Sequence, residues 1–314
     1  MFEWVKFLDS DYFPAGADAV RRLPKTSTPS RWIPFILLHA ACLSVFVTGV
    51  SPAAVIMAVT LCVMRMFAIT AFYHRYFSHR TYKTSRLAQC LFALAGLTAA
   101  QRGPLWWAAH HRHHHQNADN EMDTHSPTQR GFIWAHIGWI TADSNMPTDY
   151  SRIPDLLKYP ELVLLNRFDW VVPVLMGVSV YIAGAVLEHF YPALHTSGPQ
   201  FLSWGIVSTV MVFHVTGAIN SLAHQFGTQE FETGDDSKNN FFLGLITLGE
   251  GWHNNHHRYP GCVRQGLKWW QIDLTYYVLL LMEKLGIIWD LNKIPNAVMV
   301  KEFSATSTSS TRVQ

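Results

Sequence analysis

Four apolar stretches, 33–50, 53–73, 171–187 and 201–219, fix most of what this chain can fold into. Each approaches the roughly 20 residues that a helix needs to cross a hydrocarbon core of about 30 Å. Only Ser51 and Pro52 separate the first two. A fifth stretch, 87–100, is shorter and runs into Gln101 and Arg102, so it suits a core or re-entrant segment better than a span. Charge placement agrees with four crossings. Of the 24 Lys and Arg, 5 precede residue 33, 10 lie between His74 and Asp169, and 8 follow His224. Arg65 is the one cation inside a proposed span, and the connections 51–52 and 188–200 carry none. That asymmetry places both termini and the loop 74–170 in the cytoplasm. The expected fold is an all-α integral membrane protein with four transmembrane helices and a cytoplasmic helical cap. We read 1–314 as a single domain, with a C-terminal cap region 224–303 and a Ser/Thr-rich, disordered tail 304–314. The first 30 residues lack a secretory signal pattern, so 33–50 reads as a retained anchor. The four cysteines form no CxxC pair and no disulfide framework.

Against this topology stand 17 histidines, nine of them in four tight groups: His74 and His79; His111, His114 and His115; His224; and His253, His256 and His257. With four spans placed as above, all nine fall on one side of the membrane. Neutral imidazole is the commonest side-chain metal ligand, and nine are too many for one ion. Shared between two ions, they leave each with four or five and room for a water or dioxygen. In His111-x-x-His114-His115 the residues three and four apart lie on one helical face, so two or three imidazoles can address one ion. The group from His253 to His257 repeats the spacing. His74 and His79 would be about 140° apart on an ideal helix. They therefore fit either a helix that changes direction or ligands of two different ions. Asn220 lies one turn before His224 and is suited to hold a metal-bound water.

Asp119, Glu121, Asp123 and Glu250 suit the orientation of imidazole N–H groups from behind. His110 and His113 lie off the ligand face and read as helix-surface or supporting residues. His39 and His214, within spans, read as packed, hydrogen-bonded residues, and His125, His136, His189 and His195 as isolated. Arg65 must snorkel or find a partner, because a charge in lipid is costly. Imidazole-rich sites suit zinc, copper, iron or nickel. Redox iron fits a membrane enzyme acting on an apolar substrate, although spacing alone does not exclude zinc.

The motifs His74-x4-His79, His111-Arg-x-His114-His115, Asn220-Ser-x-Ala-His224 and Gly249-Glu-Gly-Trp-His253-Asn-x-His256-His257 occur in this order around the spans. With Asp123-Thr-His125-Ser-Pro, Arg130-Gly-Phe and His136-Ile-Gly-Trp139, they make the chain resemble the membrane fatty acyl desaturases of the stearoyl-CoA (delta-9) type. The resemblance covers nearly the whole chain. It implies a di-iron centre on the nine histidines, with Asn220 reaching one iron through water. It further implies dioxygen as co-substrate and electrons from a separate donor, such as ferredoxin or cytochrome b5 with its reductase. The product is a cis double bond, at the ninth carbon in that type. Gln101, Trp106 and Trp107 stand where family members line the substrate tunnel.

The chain departs from the animal acyl-CoA members at Ala109 and His110, where those carry an Arg-Asp pair that contacts CoA. It departs again at Thr141-Ala-Asp-Ser, where they carry a basic pair. An acyl-CoA stays the leading expected substrate, with acyl groups on a membrane lipid or a carrier protein as alternatives. The rival activities are a related histidine-box hydroxylase and a metal transporter. A transporter predicts ionisable residues deep within several spans, whereas only Arg65, His39 and His214 occur there. Membrane lipid is an expected partner and nucleic acid is not.

Overall fold

The computed structural model describes residues 8–294, so the expectation for the tail 304–314 and part of that for 224–303 lie outside the described residues. Four helices are long and apolar enough to cross a membrane: α1 (Pro29–Thr48), α2 (Pro52–Ser78) and two later ones. Between these pairs come the shorter α3 (Arg86–Leu97) and α4 (Pro104–Asn117). The later long helices are α5 (Val171–Phe190) and α6 (Gly198–Leu222). The cap is completed by α7 (Phe241–Ile246), α8 (His253–Arg258) and α9 (Leu274–Lys284). Strands β1 (Lys83–Thr84) and β2 (Ile288–Trp289) pair antiparallel and form the one sheet among the described residues. The chain is thus almost wholly helical.

Local chemistry sets the helix ends. Gly49, at φ 79°, ends α1. Ser51 Oγ then accepts from Ala54 N and Pro52 occupies the first turn, so two residues suffice to start α2. All four long helices extend beyond the apolar stretches that announce them, α5 by running on to Phe190. α1 begins at Pro29 and includes Arg31; α2 continues past Tyr73 through His74; α6 runs on to Leu222. Hydropathy misses these turns because their residues are polar or carry the site.

α6 is the central helix, packed on α1, α2 and α5. It supplies the partners that the sequence could not name for Arg65. Buried Arg65 donates through Nη1 to Thr209 Oγ1 at 2.8 Å, with Ser208 Oγ and the Gly205 carbonyl at 3.4 Å. Hydroxyls and a carbonyl of the neighbouring span therefore solvate this cation. α3, with 12 residues, is shorter than the roughly 20 that a span needs. Ser85 caps it, Phe92 stacks flat on Phe72 of α2 at 4.0 Å, and Leu87 and Leu91 point outward. The largest buried cluster gathers around the last turns of α2, with Ile69, Tyr73 and Phe77. The site is built on that firm end of the bundle.

Candidate metal centre

The end of α2 is wound unusually. From Ala68 to Ser78 the helix adopts π hydrogen bonding, and His79 N donates to His74 O at 3.2 Å. In this winding residues five apart come into register. His74 and His79 therefore face the same way, their rings 4.9 Å apart, instead of diverging as on an ideal α-helix. The π winding, rather than a change of direction, brings both rings into one group of nitrogens.

The nine histidines converge into two groups. Ring nitrogens of His74, His79, His111, His115 and His256 lie within 4.8 Å of one another, as do those of His114, His224, His253 and His257. In the first group the Nε2 atoms are linked at 2.8 Å (His79–His111), 3.0 Å (His111–His115), 2.9 Å (His115–His256) and 3.0 Å (His74–His256). In the second, His253 Nε2 lies 3.0 Å from His224 Nε2 and 3.1 Å from His257 Nε2. Each helical box divides between the groups. On α4, His111 and His115, four apart, share one group while His114 joins the other. On α8, His253 and His257 share one and His256 joins the other. Of the two or three imidazoles that His111, His114 and His115 could turn to one site, two share a group, His111 and His115. Residues four apart superpose more closely on a helix than residues three apart.

Carboxylates hold the imidazoles from behind. His74 Nδ1 lies 2.5 Å from Glu250, His114 Nδ1 2.9 Å from Asp123, His224 Nδ1 2.7 Å from Asp119 and His257 Nδ1 2.8 Å from Asp235. Glu121, by contrast, is exposed and takes no part. Asp235 was not foreseen, because it follows the fourth span in a loop with no helical phase to relate it to His257. Burial alone would raise the carboxyls of Asp119 and Glu250, yet the facing imidazoles and other donors hold both at about 2. Burial, reinforced by neighbouring imidazoles, pushes His79, His111, His115, His253, His256 and His257 well below the usual imidazole range.

This donor chemistry fits a metal. A neutral imidazole that donates through Nδ1 can only accept through Nε2. His114, His224 and His257 thus turn lone pairs toward His253, which has a single proton to offer. Cations satisfy such a surplus of lone pairs. Imidazole–metal bonds of about 2.1 Å at right angles would place neighbouring nitrogens about 3.0 Å apart, close to the spacing seen, whereas a tetrahedral site would need about 3.4 Å.

The fourth box also depends on glycines. Gly249 sits at φ 129°, and a Cβ there would lie 2.4 Å from Asp273 Oδ1. A Cβ on Gly251 would lie 2.0 Å from Gly244 N and 2.5 Å from the Leu243 carbonyl carbon, both backbone. Gly251→Ala is accordingly expected to cost about 2–3 kcal/mol of stability. Thermal unfolding of the purified protein measures this, and an unchanged transition would contradict the close approach.

Beside the first group lies a mostly apolar cavity of about 360 Å³. Gln101, Trp106 and Trp107 line it, and it reaches His111 and Asn220. Gln101 Nε2 donates to Thr216 Oγ1 of α6 at 2.9 Å. The chain bends sharply around it, with Ala100 at φ 56° and Arg102 at φ 67°, strain of the kind that collects at functional sites. Trp107 stacks on His111 at 4.9 Å; Trp106 stacks on Trp139 at 5.5 Å and donates to Asn145 O. Three histidines outside the proposed ligand set, His110, His125 and His136, line this cavity as well. His110 packs between Trp106 and Trp139, and His125 lies against Trp139 and His114. Burial lowers both to about 3, so they are neutral. His125 is thus not isolated. His113 does sit on the helix surface, bonded to Met122 O at 2.9 Å.

The profile of the family described as fatty acid desaturase matches residues 50–286. The chain belongs to the fatty acid desaturase family. It is 38% identical over 272 residues to an acyl-CoA 5-desaturase of Anemone leveillei, covering 85% of this chain and 80% of that protein. It is 32% identical over 257 residues to an sn-1 stearoyl-lipid 9-desaturase of Anabaena variabilis, covering 81% and 89%. A hex-5-enoyl-[acyl-carrier protein] acetylenase of Moorena producens is 34% identical over 251 residues, 76% of each chain. The desaturase described here is therefore a membrane oxidoreductase acting on fatty acyl chains. Its histidine groups are suited to hold a metal.

Proposed function

We propose that this desaturase introduces a cis double bond, at the ninth carbon, into a saturated acyl chain lying in the cavity beside the histidines. The observation that carries the reading is the apolar cavity ending at His111 and Asn220, next to the two convergent imidazole groups. His74, His79, His111, His115 and His256 would hold one iron; His114, His224, His253 and His257 the other, with Asn220 placing a water. Bound there, the iron pair supplies the activation of dioxygen with two electrons from a separate donor, ferredoxin or cytochrome b5. The spacing near 3.0 Å supports more than four ligands per ion, which favours iron over a closed tetrahedral zinc site. Asp119, Asp123, Asp235 and Glu250 fix the tautomers by taking the Nδ1 protons, so the Nε2 lone pairs point inward.

The cavity's own residues handle the substrate. Burying an acyl chain gives about 0.8 kcal/mol per CH2, which holds the chain but barely discriminates its register. Shape must therefore select the reacting carbons, and the bend at Ala100–Arg102, with Gln101 tied to Thr216, provides it. The relatives' names place double bonds at carbon 5 as well as carbon 9, so the position follows from cavity depth. Charge asymmetry supports a cytoplasmic site with both termini on the same side.

Expression in a host lacking unsaturated fatty acids tests the reading. Gas chromatography with mass spectrometry of its lipids should show a new cis-monoene with the double bond at carbon 9. A hydroxy acid without an alkene would replace desaturation by hydroxylation.

A further inference from the structure

The cavity has three walls: α1 with Pro34, Phe35 and Leu38, α6 with Phe213 and Thr216, and the cap with Trp139. Of these, α1 is held least. None of its most apolar 18 residues is buried, against 39% of those of α6. Its attachments are few and mostly polar. Near the cap, Arg31 Nε and Thr28 Oγ1 donate to Asp143 at 2.8 and 2.9 Å. At the far end Ser44 Oγ donates to Ser203 Oγ at 2.8 Å. Between them Phe35 meets Phe213 with ring centres 5.0 Å apart.

Gln200 Nε2 of α6 also donates to Thr48 O at 3.1 Å, and beside the cavity the attachment is a chain of three imidazoles. His39 Nδ1 donates to Phe35 O at 2.6 Å, and its Nε2 lies 2.8 Å from His214 Nε2. His214 Nδ1 is 3.0 Å from His136 Nε2, and His136 Nδ1 is 3.0 Å from Ser221 Oγ. His39 and His214 are thus hydrogen-bonded as the sequence suggested, but His136 is not isolated. It forms part of the cavity lining and closes a link from α1 through α6 to the cap helix Phe132–His136. With all three rings neutral and His39 donating to Phe35 O, His214 donates to His39 and His136 to His214, while the Ser221 hydroxyl, which donates to Gly217 O at 2.9 Å, stands 3.0 Å from His136 Nδ1. Such a chain can part without leaving a bare charge in lipid, and hydrogen bonds between spans are individually weak.

The charges at the cavity bear on what enters. Its lining has two cations among the described residues, Arg31 and Arg102, paired with Asp143 and Asp169 at 2.8 Å each. Neither is spare for a carrier with several phosphates.

We propose, resting on the desaturase reading above, that the substrate is an acyl chain still esterified to a bilayer lipid. It enters sideways through the seam between α1 and α6, which the His39–His214–His136 chain latches between entries.

The test uses the full-length, metal-loaded protein in phosphatidylcholine vesicles without an electron donor, so that no turnover occurs. A trace of phosphatidylcholine carries a photoreactive diazirine at mid-chain. After illumination, mass spectrometry should find label within 34–38 and 213–217. That label should rise about threefold or more in His39→Leu, the factor expected from losing one inter-span hydrogen bond. His214→Gln, which retains a donor and an acceptor, should fall between. Label confined to outward residues such as Phe46, Val47 and Val174, or unchanged cavity labelling in both variants, overturns the proposal. A second arm adds donor and offers palmitoyl groups on phosphatidylcholine or on CoA. Double bonds formed from the lipid support lateral entry. Double bonds from CoA alone overturn it but leave the desaturase reading intact. Products from neither carrier, with metal bound, count against that reading itself.

Discussion

On the di-iron reading proposed above, replacing His256 with Ala is expected to abolish double-bond formation and to lower bound metal from two ions per chain to one or fewer. His256 joins two parts of the site. It comes from α8, yet its Nε2 lies 3.0 Å from His74 of α2 and 2.9 Å from His115 of α4. Its loss removes one of five imidazoles from the first group. Loss of a residue that merely supports a ligand typically costs 10–100-fold in metal affinity or activity, so loss of a ligand should exceed about a hundredfold. Elemental analysis of purified protein and product analysis in whole cells read the two effects separately. His113→Ala provides the contrast, since that ring lies outside both groups, bonded to Met122 O. It should retain iron and activity. Retained product in His256→Ala, or loss of iron in His113→Ala, would sink the ligand assignment.

What the sequence disclosed and what it concealed divide along the range of the interactions involved. The spans were legible because a continuous apolar run has one economical solution in a bilayer. Their polar ends at Pro29 and Ser78 were not, since hydropathy carries no signal there. The boxes on α4 and α8 showed that imidazoles would share a helical face. Their partition between two groups depended on neighbours from α2 and α6, which no single helix reveals. His74 and His79 posed a different problem, because π winding over Ala68–Ser78 has no local sequence mark that distinguishes it from an α-helix. Asp119, Asp123 and Glu250 lay close to boxes and could be suspected. Asp235 serves His257 from 22 residues away. The chain from His39 through His214 to His136 was invisible for the same reason, since it exists only once α1, α6 and the cap are brought together.

Asp273→Ala should be the most damaging substitution among residues that touch no histidine of the centre. Asp273 faces Arg75, whose side chain is 1% exposed, through Arg75 Nη2 to Asp273 Oδ1 at 2.9 Å and Nη1 to Oδ2 at 3.1 Å. Arg75 also bonds Glu250 at 3.0 Å, and Glu250 in turn orients His74. Asp273 accepts as well from Gln265 N and caps α9 through Tyr276 N. Removing one partner of a buried pair leaves a charge without compensation and costs about 3–5 kcal/mol. That is a large part of the 5–15 kcal/mol by which folded proteins are usually stable. Glu250 would then be the sole carboxylate left to Arg75, and its hold on His74 should loosen. Unfolding should be followed on metal-free protein, because bound metal stabilises the fold and would mask the effect. The pair Arg75→Met with Asp273→Leu should cost less than the sum of the two single changes, since the second removes the partner that the first strands, while Glu250 keeps only Gln265 and His74. If Asp273→Ala melts with the parent protein, or if the pair loses the full sum of both single changes, the buried network is not what secures the end of α2 beneath the metal centre.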